Sequence, residues 1–162
     1  MLPHDVHMTT IDISTTDSGT AASPAMTQLA AVEPGGGDHH FFLNHLATVK
    51  VGSGESATRM SAVEFTAPRG FGPPLHVHRE EDEIMFVIDG EISLDLDGDS
   101  RVVTDGAVVS LPHGIPHVFQ VLSDEARFLT VTSGARAHPS FDEFVRALGV
   151  PTDPRALPDP VE

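Results

Sequence analysis

His76 and His78 stand two residues apart in GFGPPLHVHREEDEIMFVIDG, residues 70 to 90. In extended chain, positions i and i+2 point to one face, and a rise of about 3.3–3.4 Å per residue puts their Cα atoms roughly 7 Å apart. Two imidazoles at that separation can converge on one ion. Glu83 follows a short turn later, at the head of the apolar run IMFVI that Gly90 ends. A third imidazole, His117, lies in GAVVSLPHGIPHVF, again beside a strand punctuated by Gly and Pro. Three imidazoles and one carboxylate suit a divalent transition metal with positions left open for water or substrate, and Ni, Co, Mn, Fe, Cu and Zn all accept such a set. The sequence contains no cysteine, which removes thiolate ligands and disulfides.

Short strands must position these groups. FFLNHLATVKV and RMSAVEFTA read as strand runs joined by the turn signal GSGES. Gly70, Gly72, Pro73 and Pro74 impose an extended, kinked approach to the histidines. EISLDLDG alternates Ile92, Leu94 and Leu96 against Ser93, Asp95 and Asp97, a half-buried strand closed by an Asp97-Gly98 hairpin turn. Further strands run through RVV, AVVSLP, HVFQVLS and RFLTVTS. Many short strands with almost no helix predict an all-β sandwich or barrel. One helix is well marked: Ser140 and Glu143 form a capping box, Phe141, Phe144, Val145 and Leu148 make one apolar stripe, and Gly149 and Pro151 stop it. Its stripe is expected to pack on the outside of the β-structure or on a partner subunit. Residues 1 to 38, rich in Thr, Ser, Ala, Pro and Gly, are expected to be a disordered arm. The Pro-rich stretch 151–162 is expected to be an irregular tail.

Strand alternation also suggests a pocket. If His117 points inward, so do Phe119 and Val121; if Glu83 does, so do Met85 and Val87. With Leu75 they would wall a mostly apolar cavity around one polar centre, the usual design of a small-molecule site. Glu80 and Glu81 are read as solvated or paired with Arg79. His113 is placed in a surface turn, and His45, in the first strand run, is read as structural.

The motif spacings resemble those of the cupin superfamily. Its first motif is Gly, five residues, His-x-His, three or four residues, Glu, six residues, Gly; Gly70, His76, His78, Glu83 and Gly90 fit the longer option. Asp82 would take the acid position under the shorter one. Glu83 is preferred, because six residues separate it from Gly90 and it shares a face with Met85 and Val87. The second motif is matched by Gly106, Pro112, Gly114 and His117, with Val121 where the family pattern has Asn. The resemblance covers roughly residues 40 to 150 and is closest to small single-domain cupins of the quercetin 2,3-dioxygenase-like group. It implies a cupin jelly-roll barrel over 39–150 with a short C-terminal helix, and His76, His78, Glu83 and His117 as ligands of one divalent transition metal. It also implies a dioxygenase acting on an aromatic or enolic small molecule, with Glu83 as general base. The alternative is a non-redox isomerase or cyclase, or a small-molecule-binding protein. A homodimer is the expected assembly.

Composition narrows the partners. Against 24 acidic side chains there are 9 basic ones, a formal net charge of −15. Nucleic-acid affinity comes chiefly from Lys and Arg neutralising phosphates, and anionic membrane surfaces select the same residues. Neither partner is expected. The absence of Trp and Tyr removes the aromatics with a polar handle on which sugar sites lean, leaving nine Phe. No secretory-leader pattern opens the sequence, and no apolar run approaches the roughly 20 residues of a membrane span. A cytoplasmic location is therefore expected.

Overall fold

Period-two alternation builds the inner face of each sheet. In β3 (Ser61–Pro68) every second residue is buried, and β9 (Glu125–Thr132) repeats the pattern beside it in antiparallel register, Phe65 opposite Phe128. The computed structural model describes residues 31–134 and 139–154. Ahead of β3 lie β1 (Asp38–Phe42) and β2 (His45–Val51); after it come β4 (Glu83–Asp89), β5 (Glu91–Leu96), β6 (Asp99–Thr104), β7 (Val108–Leu111) and β8 (His117–Val121). Helix α1 (Phe141–Leu148) and the two-residue β10 (Val150–Pro151) close the described chain.

The strands form two antiparallel sheets, one in the order β10-β1-β2-β3-β9-β4-β7 and the other β6-β5-β8. This is the all-β jelly roll with a short C-terminal helix. Between the sheets sit Val63, Ala67, Met85, Val87, Ile92, Leu94, Leu111, Val121 and Phe128, each at most 5% exposed. Fully burying the larger of these, the Val, Leu, Ile, Met and Phe side chains, stabilises by about 1.5–3 kcal/mol apiece. Toward one end the inward positions turn polar. Glu83, Thr130, Thr132 and Ser61 are buried there, with the Ser61 and Thr132 hydroxyls 2.7 Å apart.

Three local features depart from expectation. The run FFLNHLATVKV is not one strand but a hairpin, Phe42 pairing with His45 across Leu43 and Asn44 at φ 46° and 69°. Such a two-residue turn normally advertises itself with Gly, which is missing here. Second, α1 is capped as expected, the Ser140 N–H donating to Glu143 Oε2 at 2.9 Å, but its stripe lies at the barrel mouth. Val145 is fully buried, while Phe144 and Leu148 are 40% and 59% exposed. Third, Pro151, the first residue of the expected tail, pairs with His40 of β1. Most of the expected N-terminal arm lies outside the described residues.

Candidate metal centre and cavity

The two prolines ahead of His76 cannot donate to a sheet ladder, so the His76–His78 segment is held by isolated bonds. His76 and His117 each donate a backbone N–H to the other's carbonyl, at 3.1 and 2.9 Å. Gly114 donates to His78 O at 2.7 Å. Upstream, Phe71 O accepts the Val121 N–H at 2.8 Å, and Gly72 lies so close to β8 that a Cβ there would overlap the carbonyl oxygen of Phe119. Val121, at the family's Asn position, is thus a buried packing residue on β8.

These bonds bring the three imidazoles together. Ring centroids of His76 and His117 are 4.4 Å apart, and those of His78 lie 5.2 and 5.4 Å from them. One nitrogen of each comes within 4.8 Å of the other two. Backbone carbonyls set the tautomers of two rings: His76 Nδ1 donates to Pro74 O at 2.9 Å and His117 Nδ1 to Ile115 O at 3.1 Å. Their Nε2 atoms are then bare lone pairs. His117 Nε2 and His78 Nε2 are buried and without a hydrogen-bond partner. Buried polar atoms are seldom left so, and outward-tied, inward-bare imidazoles are how metal-binding histidines are prepared.

Glu83 completes the cluster from β4. Its Oε2 lies 3.1 Å from His78 Nε2, near but out of line for a hydrogen bond, and 3.9 Å from His117 Nε2. Thr130 donates to its other oxygen over a long 3.4 Å. A carboxylate only 5% exposed costs several kcal/mol unless a cation or strong donors face it. A protonated His78 supplies one such charge, and a divalent ion among the imidazoles would supply it in that proton's place, so the donor set fits one.

Glu81 corrects the sequence reading. It is not solvated but 8% exposed; its Oε1 accepts the Phe141 N–H at 3.3 Å, and its Oε2 stands 3.9 Å from His78 Nδ1. With Glu81 first and Glu83 second, the two carboxylates push the His78 pKa up to about 9. An ion taking this nitrogen must therefore displace a proton. His76, half-buried and near two other imidazoles, is lowered, chiefly by desolvation. Asp82 turns outward and binds His113, its Oδ1 2.6 Å from His113 Nδ1, which agrees with a surface turn there.

Beside the imidazoles lies a cavity of about 380 Å³. Seven of the nine phenylalanines line it, drawn from β1, β3, β8, β9, α1 and the loop after β3. That concentration makes its walls largely aromatic. Phe119 lines the wall as expected, but the other four residues of the expected pocket do not. Leu75 is 66% exposed, because as neighbour of the inward His76 it must point away. Met85, Val87 and Val121 do face inward, yet all are at most 1% exposed and fill the core beneath the cavity. Alternation gives the side of a strand, not the depth along it; the mutually packed rings of Phe65, Phe119 and Phe128 line the cavity instead. Phe141 and Phe144 could have been found from the helical stripe. Glu81 gave no signal.

The cupin domain family model matches residues 63–132. Quercetin 2,3-dioxygenase of Bacillus subtilis (strain 168) is 30% identical over 105 residues, 64% of this chain. Those residues span only 31% of that relative's length. Among solved structures, the polyketide cyclase RemF from Streptomyces resistomycificus superposes with a TM-score of 0.58 at 22% identity, covering 72% of this chain and 91% of its own. A predicted oxalate decarboxylase from Thermotoga maritima gives 0.53 at 19% identity, over 56% and 81%. KdgF from Halomonas sp. gives 0.51 at 22%, over 66% and 87%. With its two motifs and its jelly roll, the chain carries a cupin domain over residues 63–132. A curated protein that this domain resembles is the quercetin 2,3-dioxygenase.

Proposed function

We propose that this protein is a metal-dependent cupin dioxygenase acting on a hydroxylated aromatic or enolic small molecule. The observation that carries the reading is the junction of two unlike surfaces: bare imidazole nitrogens beside a buried carboxylate, opening on a cavity walled by phenylalanine. The likeness to quercetin 2,3-dioxygenase supports it.

His76, His78 and His117 would hold the ion, with Glu83 on it or beside it. Bound there, a divalent metal supplies Lewis acidity that lowers the pKa of a substrate hydroxyl. Glu83 takes that proton; an acceptor carboxylate within reach of the hydroxyl is what general-base catalysis requires. The resulting enolate is electron-rich at carbon, the position where dioxygen adds. The phenylalanine walls orient the flat substrate and keep water from the reactive carbon. Glu81 holds the His78 ring from behind and ties the first turn of α1 to the site through the Phe141 amide.

The same base and cavity also serve a non-redox isomerisation or cyclisation, in which Glu83 moves a proton and no dioxygen is consumed. Oxygen uptake by metal-reconstituted protein over a flavonol panel separates the two. The dioxygenase reading expects substrate-dependent uptake in proportion to substrate lost. Substrate turnover without uptake replaces it with the non-redox one.

A further inference from the structure

A further imidazole lines the same cavity, and the chemistry above leaves it unused. His45 opens β2 only 3% exposed, ringed by Phe71, Phe65 and Phe42 at centroid distances of 4.0, 5.2 and 5.3 Å. Its Nδ1 lies 3.3 Å from the carbonyl oxygen of Leu43. A carbonyl only accepts, so Nδ1 carries the proton and Nε2 presents a bare lone pair. That Nε2 is buried and has no hydrogen-bond partner. Burial holds the ring neutral, its pKa pushed down to about 4, so near neutral pH Nε2 stays an acceptor.

The backbone is bent to produce this arrangement. Leu43 and Asn44 both adopt positive φ, a region that leucine rarely enters. The tight turn they form delivers the Leu43 carbonyl to the His45 ring. A lone acceptor among phenylalanine rings is unfavourable without a donor facing it, and a ligand bringing one gains in proportion.

We propose that His45 is a ligand-recognition residue, accepting through Nε2 a hydrogen bond from a hydroxyl or amine of an aromatic molecule held in the cavity. The inference deepens the proposed function and rests on that reading's cavity, though not on its chemistry. It narrows the substrate class to aromatics with two donor groups, one hydroxyl for the Glu83 end and a second donor for His45. A methoxy or keto oxygen at the second position would set two acceptors against each other.

The test uses minimal probes on zinc-supplemented protein: phenol, which carries a donor, and fluorobenzene, which does not. Binding is followed by NMR, with His45 Nε2 observed in ¹⁵N-labelled protein. The expected result is that phenol shifts the Nε2 resonance and fluorobenzene does not. His45→Phe should then weaken phenol roughly tenfold, the worth of one hydrogen bond, and leave fluorobenzene as tight or tighter. His45→Gln, which keeps an acceptor near the Nε2 position, should recover part of the phenol affinity and serves if the Phe variant folds poorly. The proposal is overturned if phenol does not enter the cavity, if it saturates without moving Nε2, or if its affinity falls no further than that of fluorobenzene. None of these readouts involves oxygen uptake, so the dioxygenase reading and this one can fail separately.

Discussion

His76 and His117 face each other as an isolated antiparallel pair, the amide of each bonded to the carbonyl of the other. Two bonds thus join the segments that carry the two motifs, and they fix the 4.4 Å approach of the rings. The geometry of the site therefore depends on how closely the approach over residues 70–74 lies against β8.

Gly72→Ala tests that dependence. Its new methyl would meet the Phe119 carbonyl, two residues from His117, and must push the approach segment away. A loss of about 1–3 kcal/mol in denaturant unfolding is expected, as for overpacking, together with reduced metal content. Unchanged metal content would show that the bridge forms without this contact.

Glu83→Gln separates a base from a ligand. Gln keeps the shape of Glu but lacks its proton affinity, so the metal-reconstituted variant should lose about 10²–10⁴-fold in turnover. Near-normal turnover at full metal occupancy would leave Glu83 as a ligand alone.

Glu81 should matter through His78. Glu81→Ala removes the carboxylate behind the ring and the acceptor of the Phe141 amide. Metal affinity should fall by about 10–100-fold, the usual cost of losing such an outer partner. Competition against a chelator measures it, and an unchanged affinity would reduce Glu81 to a cap for the helix.

How much of this could be read from the chain varies by residue. The imidazole trio was legible because two motifs with fixed spacing carry it, and α1 because Ser140, Glu143 and the Phe141–Leu148 stripe all agree. The β1–β2 hairpin was hidden, since Leu43 and Asn44 offer no glycine where the turn needs positive φ. Leu75 was misplaced, its inward assignment conflicting with that of its neighbour His76. Glu81 and His45 looked ordinary, because burial of a lone polar side chain is decided by the tertiary surroundings, which leave no periodic trace.

His45 also predicts a pH dependence. Unfolded, it takes up a proton below about pH 6.5; folded, it does so only near pH 4. Between those values the unfolded state binds more protons, so stability falls as pH is lowered. The contribution is fully present above pH 6.5 and, at roughly 3 kcal/mol, is lost by pH 4. Chemical unfolding across this window should show a shallower slope for His45→Phe than for the wild type. Parallel slopes would mean that His45 titrates normally in the fold.

Metal content tests the central claim most directly. Natively purified protein and its His76→Ala/His78→Ala double variant are compared by plasma mass spectrometry, with folding checked by circular dichroism. The account predicts about one divalent transition metal per chain in the wild type and none above background in the folded double variant. Full occupancy in the variant, or a wild type that takes up no such metal even on reconstitution, would contradict it.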